Sequence, residues 1–314
     1  MPTRNLSYRL IKGVITLLAR VPRPLMARLA VPVGRLWYSL DRRHRTIAAD
    51  NMARAMGDTF SERQRERLLR ANFIQLATTA LEMPSLLHLS RDNLDQYALF
   101  EGVEHVIRAR DQGKGVLLLT GHFGNWELFN LVTALKFGPG YALARPLDYA
   151  PMDRVLNEIR TRTGNTMVDK QDSANRVRQL LRDKQMVGIL LDQNASWYEG
   201  VYVRFFGQPA CTNKGMAMFA LRYGTPVVPA YNIRGRDGRY NIIFEPPLPM
   251  IKTGDTRRDI LDNTLQYNRA IENFIRKAPD HWFWVHRRWR IIGVPEKARD
   301  KIVVDDGIEL DLSQ

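Results

Sequence analysis

Apolar and polar positions along the chain follow two periods, and where one gives way to the other an element ends. Residues 114–120, containing Gly115-Val116-Leu117-Leu118-Leu119-Thr120, form a continuous apolar run of strand length, which reads as a buried strand. Residues 186–191, 227–232 and 240–244 read as further strands. Helical spacing is predicted over 125–136, 151–163, 172–184, 213–223 and 257–276. A helix over 61–82 is announced by Ser61 with Gln64 three residues on, and Pro84 ends it. Asn125 is the expected N-cap of the helix that Gly138-Pro139-Gly140 closes. Strands alternating with helices predict an α/β fold with a central, mostly parallel sheet covered by helices on both faces. In such sheets the site lies outside the carboxyl ends of the strands. His122 and Asp192 each follow a predicted strand, and two polar strand ends suggest one crevice.

The first 45 residues have a different pattern. Ten Lys and Arg stand there against one acid, Asp41, with short apolar clusters between them and Trp37-Tyr38 near the end. No run approaches the ~20 apolar residues of a spanning helix, and Arg20-Val21-Pro22-Arg23-Pro24 interrupts the pattern. A basic amphipathic segment of this kind fits helices lying in a membrane interface; an ordinary packed helical pair with a solvated basic face fits the same spacing. The expected organisation is a basic amphipathic membrane-associating segment at 1–45 and a single α/β domain at 46–314. A net charge of +14 favours polyanionic partners such as nucleic acid, phosphorylated lipid, an anionic membrane or an acidic protein. A single cysteine, Cys211, rules out an internal disulfide framework and fits a reducing compartment.

The chemistry concentrates in His122-Phe123-Gly124-Asn125-Trp126-Glu127. Five helical residues separate directions by about 140°, so His122 and Glu127 can meet only if His122 lies in the turn and Glu127 in the first helical turn. Neutral imidazole there could take a proton from a hydroxyl, with the carboxylate fixing its tautomer. No GxSxG elbow, HExxH motif or metal-ligand spacing occurs, which argues against serine or metal hydrolysis and leaves the expected metal count at none. Arg145, Arg160 and Arg162 could bind phosphate; Arg160 and Arg162 could equally be solvated helix charges. Asp192 could orient an arginine or a sugar hydroxyl. The tail aromatics Trp282, Phe283, Trp284 and Trp289 read as core packing or as part of an interfacial surface facing lipid headgroups, packing being favoured, with Arg287, Arg288 and Arg290 suited to phosphate or an acidic carrier protein.

These blocks resemble a family. Gly121-His122-Phe123-Gly124-Asn125-Trp126-Glu127 is similar to the catalytic block of the bacterial lipid A biosynthesis (lauroyl/myristoyl) acyltransferases, within the HxxxxD/E acyltransferase group. Ala144-Arg145-Pro146-Leu147-Asp148, Ile159-Arg160-Thr161-Arg162, Leu191-Asp192-Gln193, Thr225-Pro226-Val227-Val228-Pro229 and His281-Trp282-Phe283-Trp284-Val285-His286-Arg287-Arg288-Trp289 resemble its later blocks, in order, over about residues 5–292. The resemblance implies acyl transfer from acyl-acyl carrier protein to a hydroxyl of a lipid A precursor, with no cofactor. It implies His122 as general base oriented by Glu127. Asn125, Trp126, Arg145, Arg160, Arg162, Asp192 and Gln193 are then expected at the substrate; the oxyanion donors are left open, backbone N–H groups near Gly124-Asn125 being one candidate. Expected partners are acyl carrier protein, a phosphorylated glycolipid acceptor and anionic inner-membrane lipids. The family's N-terminal spanning helix is only weakly matched, so peripheral or monotopic attachment to the cytoplasmic face of the inner membrane is expected. Two other readings are transfer to another glycolipid, such as a phosphatidylinositol mannoside, and a basic non-enzymatic nucleic-acid-binding protein.

Overall fold

The sheet is set by the buried runs. β2 (Val116–Thr120) is buried at all five positions and pairs in parallel with β5 (Met186–Leu190) on one side and β8 (Val227–Arg234) on the other. A computed structural model of the chain, which describes residues 2–169, 173–291 and 302–310, extends this centre to seven strands. β1 (Ala98–Glu101) and β9 (Tyr240–Phe244) lie beyond β8, and β3 (Tyr141–Ala144) and β4 (Thr166–Asp169) lie beyond β5. Every neighbouring pair is parallel except β8 with β9.

Side chains along a strand alternate faces, so each strand feeds two cores. Leu117, Leu119, Val187, Ile189 and Tyr231 pack under α4 (Glu62–Glu82), α8 (Ser173–Arg182), α9 (Gly215–Tyr223) and α10 (Thr256–Lys277). Val116, Leu118, Val228 and Ala230 pack under α5 (Val103–Asp111), α6 (Trp126–Phe137) and α7 (Ala150–Thr161). Each fully buried side chain of this size contributes about 1.5–3 kcal/mol, and a sheet covered on both faces exposes no apolar side to water. The expected fold class is the one observed.

Several expected elements fall where the sequence placed them. α4 begins after Ser61, whose N–H donates to the Gln64 side chain (2.8 Å). In α6 the Asn125 side chain accepts from the Leu128 N–H (3.0 Å). α8 starts at Ser173; Asp172, where that helix was expected to begin, lies outside the described residues. Three short strands, β1, β3 and β4, were not expected. They hold four residues each, none fully buried along its length, so no continuous apolar run marks them. A hairpin of β6 (Gly200–Phe205) and β7 (Gln208–Asn213) was also missed. Its turn puts Phe206 at φ +50, and the buried Glu272 carboxylate accepts the Phe206 N–H (2.7 Å).

The N-terminus forms α1 (Pro2–Leu18), α2 (Arg23–Leu40) and α3 (Arg42–Met56). α2 lies on α4, where Tyr38 and Trp37 meet Phe73 edge to face and Tyr38 donates to Glu66 (2.6 Å). Residue 45 falls inside α3. α1 rests on α7 through Tyr8 and Lys12, both bonded to Glu158. Opposite these contacts run two exposed apolar ridges at helical spacing. Leu6, Leu10, Val14 and Leu17 form one, and Leu25, Leu29, Val33, Leu36 and Leu40 form the other, each residue 45–72% exposed. No described helix is long and apolar enough to cross a membrane.

Candidate active site

The site is made by strand register. Thr120 and Leu190 end β2 and β5 and lie opposite each other. The chains stay together one residue further, where the Leu191 N–H donates to the Thr120 carbonyl (3.0 Å). His122 and Asp192 come next on their respective strands, so the fold sets them face to face. His122 Nδ1 lies 2.9 Å from Asp192 Oδ1, and the His122 backbone N–H donates to Asp192 Oδ2 (2.8 Å). The crevice expected at two strand ends is therefore formed. Gly121 permits the approach, because a Cβ there would sit 3.0 Å from the Asp192 carboxyl carbon. Gly124 takes φ +63 and lets the chain turn against the Asn232 carbonyl.

The aromatic tail completes the carboxylate's shell. Residues 122–124 and 281–283 pair as a short ladder: the Gly124 N–H donates to the His281 carbonyl (2.9 Å) and the Phe283 N–H to the His122 carbonyl (2.9 Å). That ladder brings the Trp282 indole N–H to Asp192 Oδ2 (2.8 Å). Buried asparagines hold the tail in place. Asn72 donates to the Asp280 and Trp282 carbonyls, and Asn51 to the Trp284 and His286 carbonyls. Burial pushes the Asp192 carboxyl up, but the facing His122 imidazole and the Trp282 and His122 N–H donors outweigh it and hold the group below the ordinary carboxylate range. An ionised carboxylate can only accept, so His122 carries a proton on Nδ1, and in its neutral form it presents an Nε2 lone pair. Near that lone pair are the Gln193 amide, with Nε2–Nε2 at 3.4 Å, and the Trp126 and Phe283 rings, 5.4 and 6.0 Å from the imidazole. The Trp126 side chain also opens a narrow apolar cleft between α6, β2, β3 and β5, floored by Gly188 and walled by Phe129, Ala134 and Met186.

Glu127 does not reach His122. In the first turn of α6 its carboxylate instead grips the Arg160 guanidinium of α7 (Nε–Oε2 2.8 Å, Nη2–Oε1 2.5 Å). The expectation that Glu127 orients His122 is corrected on geometric grounds: the Nδ1 position belongs to Asp192, a residue 70 positions further along the chain. Burial favours the neutral form of Arg160, yet its bond to Glu127 more than compensates, and its pKa is raised. The same pairing occupies two of the arginine's donors and weakens its expected role as a free phosphate fork. Asn125 is buried, and its Oδ1 is committed to capping α6. The backbone donors expected near it are also taken, since the Asn125 N–H donates to the Asn232 side chain (2.8 Å). Arg145 is exposed and pairs with the exposed Asp148. Arg162 is exposed at the end of α7. The structure thus gathers His122, Asp192, Gln193 and Trp126, and leaves Arg145 and Arg162 on the surface. The Trp282 contact was missed, and an equal two-residue offset after two adjacent strands was the signal for the His122–Asp192 pair.

In the tail, Arg288 is completely buried and clamps the Cys211 carbonyl (2.6 Å) and the Thr212 hydroxyl (2.6 Å). Its expected role toward phosphate or a carrier protein is corrected, because its donors never face solvent; Arg287 and Arg290 remain exposed. His286 accepts the Asn194 N–H at Nε2 (3.0 Å), and burial depresses its pKa to about 4. An unfolded histidine binds its proton near pH 6.5, so between pH 6.5 and 4 the unfolded chain holds a proton that the folded chain lacks. Stability from this group is complete above pH 6.5 and falls by about 3 kcal/mol as pH drops through that window. Thermal melts of the wild type should decline across it, and His286→Gln should melt with a shallower slope. Equal slopes would show that His286 titrates normally in the fold.

Comparison with known proteins identifies the family. A family model described as bacterial lipid A biosynthesis acyltransferase matches residues 2–291. The chain is 27% identical over 294 residues to the lipid A biosynthesis lauroyltransferase of Escherichia coli (strain K12), covering 91% of this chain and 92% of that one. It is 23% identical over 288 residues to the lipid A biosynthesis palmitoleoyltransferase of the same organism, covering 91% and 92%. A phosphatidylinositol mannoside acyltransferase of Mycolicibacterium smegmatis (strain ATCC 700084 / mc(2)155) is 23% identical over 185 residues, 58% of this chain and 60% of that one. With strand ends, turn and tail converging on one histidine, and the family match spanning all of them, the chain belongs to the bacterial lipid A biosynthesis acyltransferases.

Proposed function

We propose that this protein transfers a fatty acyl chain from acyl-acyl carrier protein to a hydroxyl of a lipid A precursor, with His122 as general base. The observation that carries the reading is the His122–Asp192 pair, which fixes the Nδ1–H tautomer and leaves Nε2 facing the crevice. The acceptor hydroxyl gives its proton to Nε2, and its oxygen attacks the thioester carbonyl carbon. As the C–S bond breaks, the imidazolium returns the proton to the departing thiolate, so the products are an ester and the free carrier thiol. Asp192 stabilises the imidazolium between the two steps. The Gln193 amide, 3.4 Å from His122 Nε2, is the side-chain donor we assign to the tetrahedral oxyanion. The apolar cleft beside Trp126 is where the acyl chain would lie.

The exposed ridges of α1 and α2 suit attachment in the plane of a membrane, with Arg28 and Arg35 beside the second ridge able to reach headgroup phosphates. The acceptor is the part open to a second reading. The mannoside acyltransferase relative favours another phosphorylated glycolipid through the same chemistry.

The test is transfer by the purified protein from acyl carrier proteins of defined chain length to a phosphorylated glucosamine lipid A precursor, read by mass spectrometry. The expected product gains one acyl group, and His122→Ala lowers the rate by roughly 10²–10⁴-fold while keeping the wild-type melting temperature. Near-wild-type transfer by His122→Ala would end the general-base assignment. Transfer to a mannoside but not to the glucosamine lipid would move the acceptor to the second reading.

A further inference from the structure

A second charged cavity, outside the catalytic crevice, lies under the turn that joins α1 to α2. It has a volume of about 510 Å³ and is walled by Arg20, Arg23, Arg234, Arg236, His88 and Tyr97. Two of its arginines are held rigidly. Arg23 donates to the Gln96 carbonyl (3.0 Å) and the Gly238 carbonyl (2.8 Å) and stacks over Tyr97 at 4.4 Å, while its Nε is buried without a partner. Arg234 is fixed by the buried Glu82 (2.8 Å), which also accepts from the Tyr240 hydroxyl (2.9 Å). That one carboxylate serves both guanidinium groups, with Arg23 at 3.7 Å. Asp237 turns away to Arg239 (2.7 Å). The guanidinium groups of Arg20 and Arg236 have neither ion pair nor hydrogen bond among the described residues, and both are exposed.

The cavity therefore collects four permanent cations around one shared buried carboxylate, with donors left over. A group with several anionic oxygens satisfies that surplus best, and phosphate matches the fork geometry of arginine. The place of the cavity says what carries the phosphate. The turn above it connects the two exposed apolar ridges, so helices lying in the membrane interface would hold the cavity at headgroup depth. The cavity also opens at the end of the sheet where His122 lies, because residues 235–239 follow the carboxyl end of β8, which runs parallel to β2.

We propose that the cavity at the α1–α2 turn binds the phosphate of an anionic lipid headgroup. Its assignment to a lipid rests on the interfacial attachment proposed above; its charge and volume do not. The test uses the full-length protein and monomeric dihexanoyl phosphatidic acid in titration calorimetry, with dihexanoyl phosphatidylcholine and inorganic phosphate as comparisons. The expected result is saturable one-to-one binding of the phosphatidic acid. It should weaken at least tenfold in Arg20→Ala/Arg236→Ala and stay unchanged in Arg108→Ala/Arg182→Ala, which removes equal exposed charge outside the cavity. Wild-type affinity in the cavity variant, or equal weakening in both variants, would overturn the site. Equal affinity for phosphatidylcholine, a zwitterion that keeps a phosphodiester, would overturn the preference for an anionic headgroup, and equal affinity for inorganic phosphate would overturn the lipid. None of these outcomes depends on acyl transfer, so the catalytic reading can fail while this site stands, or stand while it fails.

Discussion

Asp192→Asn is expected to lower turnover by roughly 10³–10⁴-fold with the fold retained, the size of effect seen when the carboxylate behind a catalytic histidine becomes an amide. The side chain keeps its volume, and its carbonyl oxygen can still accept the His122 backbone N–H and the Trp282 indole N–H that now meet Oδ2. The amide nitrogen then faces His122 Nδ1 at the position Oδ1 held, 2.9 Å away. Because that nitrogen donates, Nδ1 must accept, and the ring proton moves to Nε2, the atom that should receive the substrate's proton. Binding contacts are untouched, so the loss should fall on kcat with KM little changed. Steady-state kinetics beside a thermal melt read both quantities. Turnover within tenfold of wild type would remove Asp192 from the mechanism.

Glu127→Ala is expected to act first on stability. Glu127 and Arg160 are nearly buried, with side chains 7% and 14% exposed, and they bridge α6 to α7. Removing one partner of a buried pair leaves the other charge uncompensated and costs about 3–5 kcal/mol. In a chain of this length that lowers the melting temperature by about 5–8 °C. Replacing both partners, as Glu127→Leu with Arg160→Met, should recover most of the loss, since no orphan charge remains. Glu127→Gln separates this account from a direct role at His122. It keeps a hydrogen bond to Arg160 and should leave the pH profile of turnover as in the wild type. If Glu127→Gln instead matched Asp192→Asn in lost turnover with an unchanged melting temperature, and combining the two cost no more than either alone, the carboxylate of Glu127 would have to reach His122 during catalysis.

These two predictions mark where the sequence stopped being legible. The apolar run before His122, the Asn125 cap and the later run before Asp192 located the turn, the helix and a crevice at two strand ends. The expected partner of the histidine, Glu127, is the carboxylate near it in sequence and not the one near it in space. Glu127 is five residues away along the chain and points to α7. Asp192 is 70 residues away and touches, because β2 and β5 pair in register. The tail was read correctly as packed aromatics, while the indole of Trp282 as a donor to Asp192 and the burial of Arg288 had no local signature.

By itself the sequence determined the strands β2, β5, β8 and β9, the helices α4 and α6 to α10, the two-faced burial of the central strands and the histidine's place in a strand-to-helix turn. These follow from side-chain periodicity and capping, which act over a few residues. The tertiary structure alone decided the partner of each charged group: Asp192 for His122, Arg160 for Glu127, and Glu82 shared by Arg23 and Arg234. A buried charge takes the opposite charge or donor that packing brings within about 3 Å, and packing is set by strand register and helix docking across the whole chain, which no local spacing encodes.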